Sequence, residues 1–120
     1  MTLKECYAAI GGNYDETIGR LRSERLVQKF VLKFLDDPSY DLLCSAMESG
    51  SYEEAFRAAH TIKGVCQNLG FSVLGKSSSE LSEALRGGYT PAADTLIHQV
   101  KEDYQVTAQA IRAFQEDAVG

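Results

Sequence analysis

No stretch of this chain approaches the ~20 consecutive apolar residues of a membrane-spanning helix, so insertion into a bilayer is not expected. The opening residues, Met1-Thr2-Leu3-Lys4-Glu5-Cys6, lack a basic segment followed by an apolar stretch, which weighs against a signal peptide. Positive charge is also in short supply. Twelve Lys and Arg face seventeen Asp and Glu, the net charge is −5, and the cations are scattered along the chain. Nucleic acid and anionic lipid both reward clustered Lys and Arg, so neither is an expected partner. Cysteine is limited to Cys6, Cys44 and Cys66, an odd number with no Cys-x-x-Cys and no zinc-type spacing to either histidine. These read as reduced, mostly buried, small apolar residues of a cytoplasmic protein. Strand patterns are missing as well: no run alternates apolar and polar residues over five or more positions between turn signals.

What is present fits an all-α domain. At 120 residues, with 44% hydrophobic and 24% charged side chains, the chain suits a single domain spanning 1–120, with a real core and no room for a second domain of ordinary size. The only two prolines, Pro38 and Pro91, sit where helices should begin, and Thr90 precedes the second as a candidate N-cap. Ser51 and Glu54 have the spacing of a capping box, and Gly50, Gly87 and Gly88 suit helix C-termini. These signals predict helices over 3–10, 15–21, 23–36, 39–49, 51–69, 71–86 and 91–117. In the last of them Leu96, Val100, Tyr104, Thr107, Ile111 and Phe114 recur at three- and four-residue steps, an amphipathic stripe. There is no internal repeat and no low-complexity tract.

The segment 51–69 carries the chemistry. At about 100° per residue, Ala55, Ala59, Ile62, Cys66 and Leu69 fall on one stripe, the expected buried face, and His60 lies roughly opposite. Phe56, Lys63, Gly64 and Gln67 share its outward face at i−4, i+3, i+4 and i+7. An exposed histidine or lysine alone is most simply a solvated surface residue. Gly64 is harder to explain, because glycine inside a helix costs about 1 kcal/mol relative to alanine and no turn here calls for it. A glycine kept on an exposed face suggests that something approaches the backbone beside the imidazole. Neutral imidazole brings its own lone pair and is a good nucleophile, and a lysine one turn away suits incoming phosphoryl oxygens.

The string Ala59-His60-Thr61-Ile62-Lys63-Gly64-Val65-Cys66-Gln67-Asn68-Leu69-Gly70 closely resembles the signature of histidine phosphotransfer (HPt) domains, with His60, Lys63, Gly64 and Gly70 at the diagnostic places. The resemblance extends to 24–36, to the turn at Ser49-Gly50-Ser51-Tyr52 and to the returning segment Leu74 through Gly88. It implies a four-helix up-and-down bundle with additional short N-terminal helices. On it His60 would accept a phosphoryl group and carry it between aspartates of receiver domains, Lys63 would stabilise the phosphoryl group, and Gly64 would give the partner access. Response-regulator receiver domains or a hybrid sensor histidine kinase are the implied partners. The chain has no cofactor of its own on this reading, since the receiver supplies Mg²⁺ and the acidic pocket. A phosphoryl carrier, not an enzyme, is implied; no Gly-x-x-x-x-Gly-Lys-[Ser/Thr] loop is present, so neither ATP binding nor autophosphorylation is expected. Phe56 and Gln67, with Arg57 as a weaker candidate, would contribute to partner docking, while Phe71 reads equally as docking residue or core.

Three departures from the family pattern stand out. Val65 and Cys66 occupy places usually taken by Ser or Ala. Leu81 is followed by Ser82, with Glu83 one place later, where the family often has glutamate directly after the leucine. All three are expected to alter packing and partner choice without touching the histidine. One alternative is an HPt-fold interaction module that binds receiver or kinase domains without relaying phosphate. A metal-binding bundle using His60 and His98 is disfavoured, because Glu-x-x-His precedes neither. The starting Met1 slightly favours a free-standing chain over a module of a larger kinase.

Overall fold

Short polar side chains set where the first helices begin. Thr2 and Glu5 form a reciprocal capping box on α1 (Leu3–Ile10): the Glu5 N–H donates to Thr2 Oγ1 at 3.0 Å and the Thr2 N–H to Glu5 Oε1 at 2.8 Å. Asn13 caps α2 (Tyr14–Leu21) by accepting from the Glu16 N–H at 3.1 Å, and Ser23 caps α3 (Glu24–Lys33) by accepting from the Leu26 N–H at 3.1 Å. The sequence predicts that this third helix runs to residue 36. Instead it tightens into a 3₁₀ turn, Phe34–Asp36, because Pro38 forces the residue before it out of helical conformation and Asp37 is extended at φ −70°, ψ 125°.

After that turn come α4 (Ser39–Ser49), α5 (Tyr52–Leu69), α6 (Ser72–Leu85) and α7 (Ala92–Val119) in a computed structural model that describes residues 1–119. Two caps read from the sequence do not form. Ser51 occupies the N-cap of α5, but its hydroxyl makes no cap bond and lies 3.0 Å from Ser49 Oγ. Its ψ of 70° falls short of the extended backbone that aims a cap side chain at the helix. Thr90 Oγ1 donates back to the Ala84 carbonyl at 2.9 Å, tying the connection to the end of α6 rather than capping α7.

Helices α4 to α7 form the up-and-down bundle, each packed on the next across short connections, while α1 lies on α7 and α3 packs against both α5 and α7. The 28 residues of α7 should extend about 42 Å at 1.5 Å per residue. That equals the 42 Å long axis of the molecule, so α7 is its spine. Tyr40 on α4 stacks on Tyr104 of α7, with ring centroids 3.7 Å apart, and this closes the bundle. Phe34, 5.9 Å from Tyr104, continues the cluster to Phe71, which is fully buried between Phe34 (5.3 Å, 90° between planes) and Tyr7 (5.6 Å) and is therefore core and not docking surface. Val100, Thr107, Ile111 and Phe114 face inward, as the spacing of the last helix predicts. The three cysteines are free; burial pushes the Cys6 thiol up to about 11 and the Cys66 thiol up to about 12, and Cys44 is half-buried.

Candidate functional site

Helix α5 presents two faces. Ala55, Ala59, Ile62, Cys66 and Leu69 are all buried, and they point His60 outward into solvent. The imidazole stacks on Phe56, one turn earlier, with ring centroids 5.9 Å apart and 21° between the planes. Lys63 is half-buried on the other side of the histidine and forms no ion pair among the described residues. At Gly64 an added Cβ would meet nothing within 4 Å. Gln67 is exposed and forms part of a groove of about 530 Å³ with Asn13, Arg20, Gly70, Ser72 and Lys76. Phe56, His60, Lys63, Gly64 and Gln67 therefore share one outward strip. Arg57 is exposed, but its guanidinium is engaged with Glu53 at 2.6 Å, toward the start of the helix.

Two side chains at the C-terminal end of α6, Glu83 and the C-cap residue Arg86, join this strip. Arg86 lies over the Phe56 ring, its guanidinium carbon 5.4 Å from the centroid, and it donates to Glu83 through Nη2 at 2.6 Å and Nε at 3.3 Å. These bonds and the Arg86 charge hold the Glu83 carboxyl below its ordinary range, and the charges of Lys63 and His60 push in the same direction. Among the described residues Glu83 makes its hydrogen bonds to Arg86 and none to His60. Periodicity orders the residues of one helix and gives no register between two, so nothing in the sequence joins Arg86 to Phe56. The only trace of the pair is the displaced glutamate.

The far end of α5 is held by the N-terminal helices. The last carbonyls of a helix have no partner within it. Here Arg20 Nη2 donates to the carbonyls of Gln67 (2.9 Å) and Asn68, while Tyr7 Oη (2.7 Å) and Thr17 Oγ1 (3.1 Å) both donate to that of Leu69. Gly70, at φ +73°, then turns the chain, and its carbonyl accepts from the Asn13 N–H at 2.8 Å. The outward strip is therefore carried on a helix fixed at its C-terminus by three side chains from α1 and α2.

A scan against protein-family models matches residues 25–110 to the Hpt domain. The chain belongs to the Hpt domain family. Hpt domains serve histidine phosphotransfer in two-component phosphorelays, as phosphocarrier modules that work with receiver and kinase domains. No curated protein and no solved structure matches the chain. The matched region begins after α1 and α2, so the helices that cap α5 lie outside the Hpt match. Of the departures from the Hpt pattern, Cys66 is accommodated by Gly75 on α6, where an added Cβ would come within 3.2 Å of Cys66 Cβ. Among the described residues no helix is long and apolar enough to cross a membrane, and no group of three or more His, Cys, Asp or Glu could hold a metal ion.

Proposed function

We propose that this Hpt chain accepts a phosphoryl group on His60 from an aspartyl phosphate of one receiver domain and passes it to an aspartate of another. The observation that carries the reading is the outward strip itself: an exposed imidazole, a lysine beside it with no ion-pair partner among the described residues, and open space over Gly64. In the forward step the lone pair of one ring nitrogen attacks phosphorus and an N–P bond forms. The P–O bond to the donor carboxylate breaks, and its electron pair leaves with the carboxylate. The second ring nitrogen keeps its proton, so the ring becomes cationic and needs no separate general base. Lys63 attracts the equatorial oxygens and offsets the charge of the product. The missing side chain at Gly64 lets the partner bring its phosphoryl group in line, and Phe56 supplies an apolar centre for docking with Gln67 on the polar rim.

The divalent cation that assists this chemistry belongs to the receiver on this reading, in its acidic pocket. On this chain the Glu83 carboxylate is already engaged by Arg86. A cytoplasmic setting, shared with receiver domains, goes with the same reading. Incubation with a phosphorylated receiver domain tests it. Acid-labile label is expected on the wild type and on His98→Gln, and none on His60→Gln. Label that survives His60→Gln would refute the assignment. Binding without any transfer, across a panel of receivers, would favour an interaction module that does not relay phosphate.

A further inference from the structure

The Phe56 ring is shared. One neighbour is the His60 imidazole, stacked at 5.9 Å, and another is the Arg86 guanidinium, 5.4 Å from the ring centroid. Glu83 holds that guanidinium through two hydrogen bonds, and its own carboxylate lies in the field of Lys63 and His60 as well as Arg86. The carboxylate thus holds an arginine that shares its aromatic neighbour with the imidazole. A phosphoryl group on His60 would bring up to two negative charges into the same field, repelling Glu83 and attracting Arg86. A guanidinium fork fits carboxylate and phosphoryl oxygens equally well. The existing pair is also exposed, with side chains 56% and 58% accessible, so water screens it and it is easily exchanged.

We propose that Glu83 and Arg86 form a charge-exchange pair for the phosphorylated histidine. Glu83 holds Arg86 beside Phe56 while His60 is bare; the phosphoryl group then displaces Glu83 and takes Arg86 as a second cation alongside Lys63. The pair would set how long the phosphohistidine survives. Hydrolysis breaks the N–P bond, water attacks phosphorus, and the electron pair returns to the ring nitrogen. A cation on the phosphoryl oxygens lowers the energy of the phosphorylated state, whereas a carboxylate beside it raises that energy. This inference rests on His60 being the acceptor, and the test keeps the two claims apart.

Phosphoramidate, a small donor that needs no docking partner, can load the full chain. The ring lone pair attacks its phosphorus, and ammonia leaves with the electron pair of the broken P–N bond. Phosphohistidine half-lives at His60, and at the exposed His98 on α7 as internal reference, are then followed by phosphorus NMR. Arg86→Ala should shorten the half-life at His60 by about two- to fivefold, the scale of an exposed charge contact, and Arg86→Lys should restore part of it. Glu83→Gln should lengthen it by about twofold. The half-life at His98 should not move in any variant. The opposite signs are decisive, because both substitutions remove the same ion pair and a merely structural pair would shift the half-life in one direction. Same-sign changes, or none, at a labelled His60 would overturn the exchange pair and leave the acceptor assignment standing. Label confined to His98 would overturn both.

Discussion

Gly64 and Gly70 lie on the same helix, six residues apart, and the chain needs only one of them. At Gly70 the backbone is left-handed (φ +73°), and an added Cβ would sit 2.1 Å from Thr17 Oγ1 and 3.0 Å from the Asn13 carbonyl oxygen. Any side chain there would force α2 away from the end of α5. At Gly64 the backbone is helical and an added Cβ would meet nothing within 4 Å. Glycine there lowers helix stability by about 1 kcal/mol relative to alanine, and no contact among the described residues offsets it. The first glycine serves the fold. The second answers to something outside the chain, which is why it lies beside His60 and not at a junction.

If that contrast is right, Gly70→Ala should be the most damaging single change considered. Left-handed backbone at a residue other than glycine and a displaced Thr17 together should remove roughly 2–4 kcal/mol of stability, read as a lower urea midpoint. A loss below about 0.5 kcal/mol would mean that the junction adapts freely, and the distinction between the two glycines would collapse.

The same junction should respond to alkali. Burial pushes the Tyr7 phenol, which donates to the Leu69 carbonyl, from 10.0 up to about 12. Its folded value is raised, so its contribution is complete below pH 10 and is lost as the pH climbs through 12. The loss should be on the order of 2–3 kcal/mol for this group alone, with the buried Cys6 and Cys66 thiols adding to the trend. Urea midpoints measured from pH 8 to 12 should therefore fall, and fall less steeply in Tyr7→Phe. An equal slope in that variant would locate the alkaline sensitivity elsewhere.

The outward glycine should behave in reverse. Gly64→Ala is expected to raise stability by up to about 1 kcal/mol, since the helix gains and nothing clashes. Gly64→Gln should keep the helix intact while slowing transfer from a phosphorylated receiver by roughly tenfold or more, because a long side chain beside the imidazole misplaces the incoming group. Transfer at the wild-type rate from Gly64→Gln would remove the case for close approach.

The inward and outward faces of α5 were both readable from its spacing, because a 3.6-residue period is a property of a single helix. Helix limits were readable where glycine ends a helix, as at Gly50 and Gly70. Caps were less so. Ser51 has the right type and spacing but the wrong backbone angle, Thr90 finds a better acceptor on α6, and the working box at Thr2 and Glu5 carries the same pattern without having stood out. Contacts between helices were not readable at all. Arg86 reaches Phe56, and Tyr7, Thr17 and Arg20 reach the end of α5, only because the bundle brings distant segments together.

Lys63 gives the finest test of the comparison, because it acts on the same outward strip by charge where Gly64 acts by shape. Lys63→Ala should change stability by less than about 0.5 kcal/mol, as at other surface positions away from the core. It should nevertheless slow phosphotransfer several-fold, about the scale of one exposed charge contact on the moving phosphoryl group. Salt separates the two mechanisms. At 1 M ionic strength the screening length falls to about 3 Å, so the rate difference between wild type and Lys63→Ala should shrink. The deficit of Gly64→Gln, being steric, should persist unchanged. If both deficits faded together, the glycine would matter through the electrostatics of the site and not through the space it leaves.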